Sequence, residues 1–194
     1  MTRMGLRSMC CAAIEEPQAF PLGHRHRRPD TLVVGLGNPI LGDDGVGWRV
    51  ADALERRLAT DDAARAAVGA VEVDRLAVGG LTLMERLVGY RRVVLVDACL
   101  DGNRPGFVRT TSLADMECRL ADHLDCAHDV PLTEAIRVGR SLGGALPSRI
   151  TVVGISVRSV GDFRETLSRA VERAVDAATD AVITALCPVT GRTC

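Results

Sequence analysis

Short runs in which every residue is apolar alternate along this chain with stretches whose apolar residues recur every three or four positions. Leu32, Val33 and Val34 are apolar on both faces, as a strand buried inside a parallel sheet requires. From Val46 the period changes, and Val46, Val50, Ala53, Leu54 and Leu58 mark the inner face of a helix. Val71 and Val73, alternating with Glu72 and Asp74, predict a more exposed strand that ends at Leu76. Gly79 and Gly80 open a second helix with Leu83, Leu87 and Val88 on one face. Val93 to Val96 form the most hydrophobic run in the chain and predict a central strand ending on Asp97. After a turn at Gly102 to Pro105, Phe107 to Thr111 read as a short strand nearer an edge. Pro131 can open a helix at no cost in hydrogen bonding, with Leu132, Ala135, Ile136, Gly139 and Leu142 facing inward. The LGGALP stretch breaks it, and Ile150 to Ile155 give another buried strand. A last long helix is expected from Asp162, which can cap it with Glu165 three residues on. Its stripe is Phe163, Leu167, Val171, Ala174, Ala178, Val182 and Leu186.

The order is βαβαββαβα, an α/β class fold: a three-layer α/β/α sandwich around a mostly parallel twisted sheet, with Phe107 to Thr111 as the antiparallel exception. Residues 1–30 carry Pro17, Pro21, Pro29 and the cluster GHRHRR without periodicity, and are expected to be a flexible extension. Residues 31–187 form one domain, and 188–194 a frayed tail. At 194 residues and 47% hydrophobic content, the chain can bury a sizeable core. A net charge of −1 made of interspersed charges, with only 3% aromatic residues, provides neither the basic face nor the stacking platforms of a nucleic-acid binder. Seven cysteines, an odd number without a regular framework, point to reduced thiols and the cytoplasm. No apolar run approaches the roughly 18 to 20 residues needed to cross a bilayer, and no clean export signal opens the chain.

Chemistry is concentrated at TLVVGLGNPILGDDGVG, residues 31–47, where a strand feeds a glycine turn and then Asp43 and Asp44. One reading makes either aspartate a helix N-cap. A dinucleotide site fails, because Ile40 stands where the third glycine belongs and adjacent carboxylates repel a pyrophosphate. The third reading places a carboxylate at a strand's carboxyl end, where open α/β sheets put their sites. Asp97 belongs to the same edge if its strand is parallel, its alternative being a loop cap. His128 sits in the connection before Pro131, free to point into a site. Together Asp44, Asp97 and His128 can bind a divalent transition metal with positions left open, or a carboxylate can orient His128 as a base. Cys118, His123, Cys126 and His128 form a rival set for zinc, but their spacing departs from familiar zinc patterns and fits scattered loop cysteines. His24 and His26 offer a metal pair within what reads as an unstructured arm.

In combination, VVGLGNPILGDDGVG, VGGLTLMERL, VVLVDA ending on Asp97, HDVPLTEAI beginning with His128, and ITVVGI before a long helix resemble the maturation endopeptidases of nickel-iron hydrogenases. The resemblance covers roughly Thr31 to Leu186. It implies a three-layer α/β/α fold and a cytoplasmic, monomeric enzyme that removes a C-terminal extension from the hydrogenase large-subunit precursor after nickel insertion. Carried over by motif, the family's metal-contacting acid matches Asp44, its second acid Asp97 and its histidine His128. The nickel is then supplied by the precursor, held on its own cysteines, and no permanent cofactor is expected. Leu81 and Leu83 stand where the family pattern has threonine and glycine, so this loop departs from it. A Cys99 nucleophile is disfavoured, since nothing in the sequence lowers its pKa.

VVGLGNP also resembles the first strand of bacterial peptidyl-tRNA hydrolases, but LGDDGVG replaces the Thr-Arg-His-Asn stretch that supplies their histidine. A non-enzymatic alternative is a metallochaperone or assembly module that binds the nickel-loaded precursor without cutting it.

Overall fold

A computed structural model describes residues 29–116 and 131–187. β1 (Thr31–Leu36) runs through a 3-10 turn at Gly42–Gly45 into α1 (Val46–Thr60) and the short α2 (Asp62–Val68). Next come β2 (Glu72–Leu76), α3 (Gly80–Leu87), β3 (Arg92–Cys99), β4 (Val108–Ser112) and α4 (Leu113–Met116). The chain continues with α5 (Leu132–Ser141), β5 (Arg149–Ser156), α6 (Arg169–Glu172) and α7 (Val175–Leu186). The sheet order is β2-β1-β3-β5-β4. Every neighbouring pair is parallel except β4 with β5. The predicted antiparallel edge strand is therefore present.

Side-chain alternation along the central strands divides the core into two layers. Val93 and Leu95 pack with Leu83, Leu87, Leu132 and Ile136 on the face covered by α3 and α5. Val94 and Val96 pack with Val46, Val50, Leu54, Val182 and Leu186 on the face covered by α1 and α7. Valine and leucine on both faces suit such a doubly covered strand, while β2, at an edge, is only half-buried throughout. Because α1 leaves β1 on one face and α3 enters β3 from the other, a crevice opens between β1 and β3 at their carboxyl ends. Among the described residues no helix is long and apolar enough to cross a membrane.

Several sequence expectations need correction, among them Val88, which lies past the end of α3 and is exposed. The last helix does not begin near Asp162. Ser159 Oγ donates to the Asp162 carboxylate at 2.8 Å, and Arg164 is tied by its backbone to the first loop, its N–H to Ile40 O at 3.0 Å and its carbonyl to Gly42 N at 2.6 Å. Helix begins only at Arg169, and Phe163 is 87% exposed instead of lying on the inner stripe. These tertiary backbone bonds satisfy groups that a helix would otherwise pair locally. Leu142 likewise lies past the end of α5 and is 81% exposed. The N-terminal extension with His24 and His26, the set Cys118, His123, Cys126 and His128, and the C-terminal tail lie outside the described residues.

Candidate active site

The loop after β1 is built by glycines and closed by a carboxylate. Gly37 has φ +111°, and a Cβ there would lie 1.9 Å from Asp44 O, so only glycine fits. Its N–H donates to Leu76 O at 3.1 Å, anchoring the loop to the end of β2. Asn38 N–H then donates to Asp44 Oδ2 at 2.6 Å, drawing the half-buried Asp44 back over the end of β1. Among the described residues no donor bonds its other oxygen. Asn38, which sequence reasoning did not single out, therefore positions this acid; the Asn-Pro pair at 38–39 is its turn signal.

Asp43 has a different task. It is 5% exposed, and its Oδ1 accepts the Ser168 N–H at 2.6 Å with Arg164 Nη2 at 3.6 Å. The helix-cap reading thus gives way for both residues: the N-cap position of α1 is Gly45, with no side-chain cap.

Asp97 ends the buried part of β3, beside Gly154 of β5. Although the residue keeps some accessible surface, burial pushes its carboxyl up to about 7. The Ala98 N–H, donating to Oδ1 at 2.8 Å, opposes the rise, and the nearby charge of Asp44 adds to it. The two acids therefore face each other electrostatically across the β1/β3 crevice, each with one oxygen held by a backbone amide. Two acids placed so on one rim favour the approach of a cation.

The Cys99 thiol is pushed up to about 12 by burial and by the charges of Asp97 and Asp101, so it carries little thiolate at neutral pH. Its Sγ fills the space over Gly154, 2.6 Å from where a Cβ would be. Leu83, one of the departures in the second unit, is buried in the core, while Leu81 is 46% exposed at the rim. Among the described residues no three His, Cys, Asp or Glu side chains gather as a metal-binding group. Asp44 and Asp97 follow the neighbouring strands β1 and β3, with the charge of Asp44 adding to the shift of Asp97, and His128 lies outside the described residues.

A model of the hydrogenase maturation protease family matches residues 48–185, more than half of the chain. The hydrogenase 2 maturation protease of Escherichia coli strain K12 is 25% identical over 130 residues, 66% of this chain and 74% of that protein. Among solved structures, the hydrogenase maturating endopeptidase HybD from E. coli superposes with a TM-score of 0.66 at 25% identity, covering 80% of this chain and 91% of that one. A hydrogenase 2 maturation peptidase from a Thaumarchaeota archaeon is 31% identical with a TM-score of 0.55, covering 80% of this chain and 97% of its own.

Proposed function

The chain belongs to the hydrogenase maturation protease family, and from that premise we propose that it is the endopeptidase that removes the C-terminal extension of a nickel-iron hydrogenase large-subunit precursor once nickel has been inserted. Membership carries peptidase activity. The observation that supports the finer reading is the pairing of Asp44 with Asp97 across the crevice between β1 and β3. In this reading Asp44, Asp97 and His128 contact the nickel, which is part of the substrate, and the chain holds no metal of its own. His128 is separated by two residues from Pro131, which precedes α5. Ala98 holds only one oxygen of Asp97. Carbonyl polarisation would come from the substrate's nickel. On this reading the enzyme works in the cytoplasm as a monomer, with the precursor as its partner and neither nucleic acid nor membrane.

The test is the intact mass of the co-expressed precursor encoded in the same genome, with and without nickel. The expected result is a nickel-dependent loss of one C-terminal peptide, abolished by His128→Ala and by Asp97→Asn. A stable complex with an unchanged precursor mass would instead establish a binding module.

A further inference from the structure

Exposed apolar side chains are not spread evenly over this molecule. Nine large ones are exposed among the described residues, and six of them, Ile40, Val78, Leu81, Phe107, Val160 and Phe163, lie in the segments after β1, β2 and β5 or at the start of β4. All four segments meet the carboxyl ends of the parallel strands, the rim that carries Asp44 and Asp97. Exposure of this kind, gathered around a polar site, marks a surface for a partner.

Phe163 is the extreme case. The chain has three phenylalanines, and this one is 87% exposed. It is nevertheless held in place, because Leu41 and Arg164 pair as a parallel bridge whose register sets Phe163 beside Ile40, itself 47% exposed. Ile40 N–H donates to Asn38 Oδ1 at 3.2 Å, and Asn38 N–H holds Asp44. Asp43, through Ser168 N–H and Arg164, fixes the other side of the same bridge. An aromatic and an aliphatic side chain are thus presented to solvent on a fixed backbone, where the loop after β5 is bridged to the loop that carries the candidate metal-contacting acid. A preorganised apolar pair beside a reacting centre has the composition of a binding hot spot.

We propose that Phe163 and Ile40 are the anchor by which this chain docks its substrate, seated in an apolar pocket on the folded large-subunit precursor beside the segment to be cut. The inference rests on the function proposed above for its partner. Docking through this pair holds the precursor's C-terminal segment over Asp44 and Asp97, so its energy enters mainly through substrate affinity.

The experiment follows nickel-loaded precursor by intact mass over a range of concentrations, with wild type, Phe163→Ala, Phe163→Leu and, away from the rim, Leu142→Ala. Binding is measured alongside in the Asp97→Asn background, where cleavage does not intervene. Phe163→Ala is expected to raise KM and the dissociation constant about tenfold or more with kcat within about twofold. Phe163→Leu should recover part of the loss and Leu142→Ala should match wild type. Because Phe163 is exposed, unchanged thermal melting verifies that the variants fold. Cleavage by Phe163→Ala with wild-type KM would overturn the docking role while leaving the protease reading intact. Precursor binding that Phe163→Ala weakens, together with no cleavage by the wild-type chain, would do the reverse. If Phe163→Ala changes self-association and not precursor affinity, the pair is a contact between two copies of the chain and the proposal is wrong.

Discussion

Asp43, Asp44 and Asp97 are chemically identical side chains whose surroundings give them different work. Asp43 is buried and its Oδ1 is taken up by Ser168 and Arg164, a structural role. Asp44 is held at one oxygen by Asn38. Asp97 is held by Ala98 but pushed up to about 7 by burial, against an ordinary value of 3.8. The fold therefore disfavours its ionised form, so the contribution of Asp97 to stability is fully present below about pH 4 and is lost as pH rises through about 7. Asn carries no such penalty. In metal-free buffer Asp97→Asn is expected to be more stable than wild type at pH 8, by on the order of 1 to 4 kcal/mol, and no more stable at pH 4. Urea denaturation at the two pH values checks this. A variant that gains stability while losing cleavage would identify Asp97 as a residue kept for function at a cost to folding.

At the scale of elements, the strand, turn and helix of residues 31–60 act as one unit because their backbones touch. A Cβ on Gly47 would lie 2.3 Å from Leu36 O and 2.5 Å from Val96 O, so the first turn of α1 rests directly on the ends of β1 and β3. Both obstructing atoms belong to central strands and cannot move aside. Gly47→Ala should therefore destabilise the protein by roughly 3 kcal/mol or more and displace Asp44, with lower thermal midpoint and lower cleavage as the readouts. Five strands and the longer helices α1, α3 and α5 were legible from period and punctuation, while the short α2 and α4 were not, because a strand buried on both faces must be continuously apolar and an amphipathic helix must repeat near 3.6. The start of the last helix was not. Asp162, Phe163 and Glu165 carry the local signals of a helix start, but the chain there is bonded to Ile40 and Gly42, which lie far away in sequence.

For the whole molecule, the decisive feature is where helices change faces. The order β2-β1-β3-β5-β4 puts β1 and β3 side by side, so the loop after one and the end of the other line a common crevice. The loop after β5 is then drawn onto this rim by Asp43. Asp43→Ala removes a buried charge-assisted bond that joins segments 125 residues apart. It is expected to lower stability by about 1 to 3 kcal/mol and to speed amide hydrogen exchange at Ser168, which exchange measured by NMR would register. If Ser168 stayed as protected as in wild type, the tie would not be what holds this loop.

What the sequence determined by itself is the class of fold, the parallel core, the antiparallel edge strand and the two strand ends at which Asp44 and Asp97 stand. These follow from local patterns, since burial on one or two faces dictates which residues each element can carry. Only the tertiary structure decided that Asp43 is structural, that the two remaining acids sense each other, and that Phe163 faces solvent beside them. Those facts depend on which distant backbone groups meet, and hydrogen bonds and electrostatic coupling between segments leave no period in the chain that forms them.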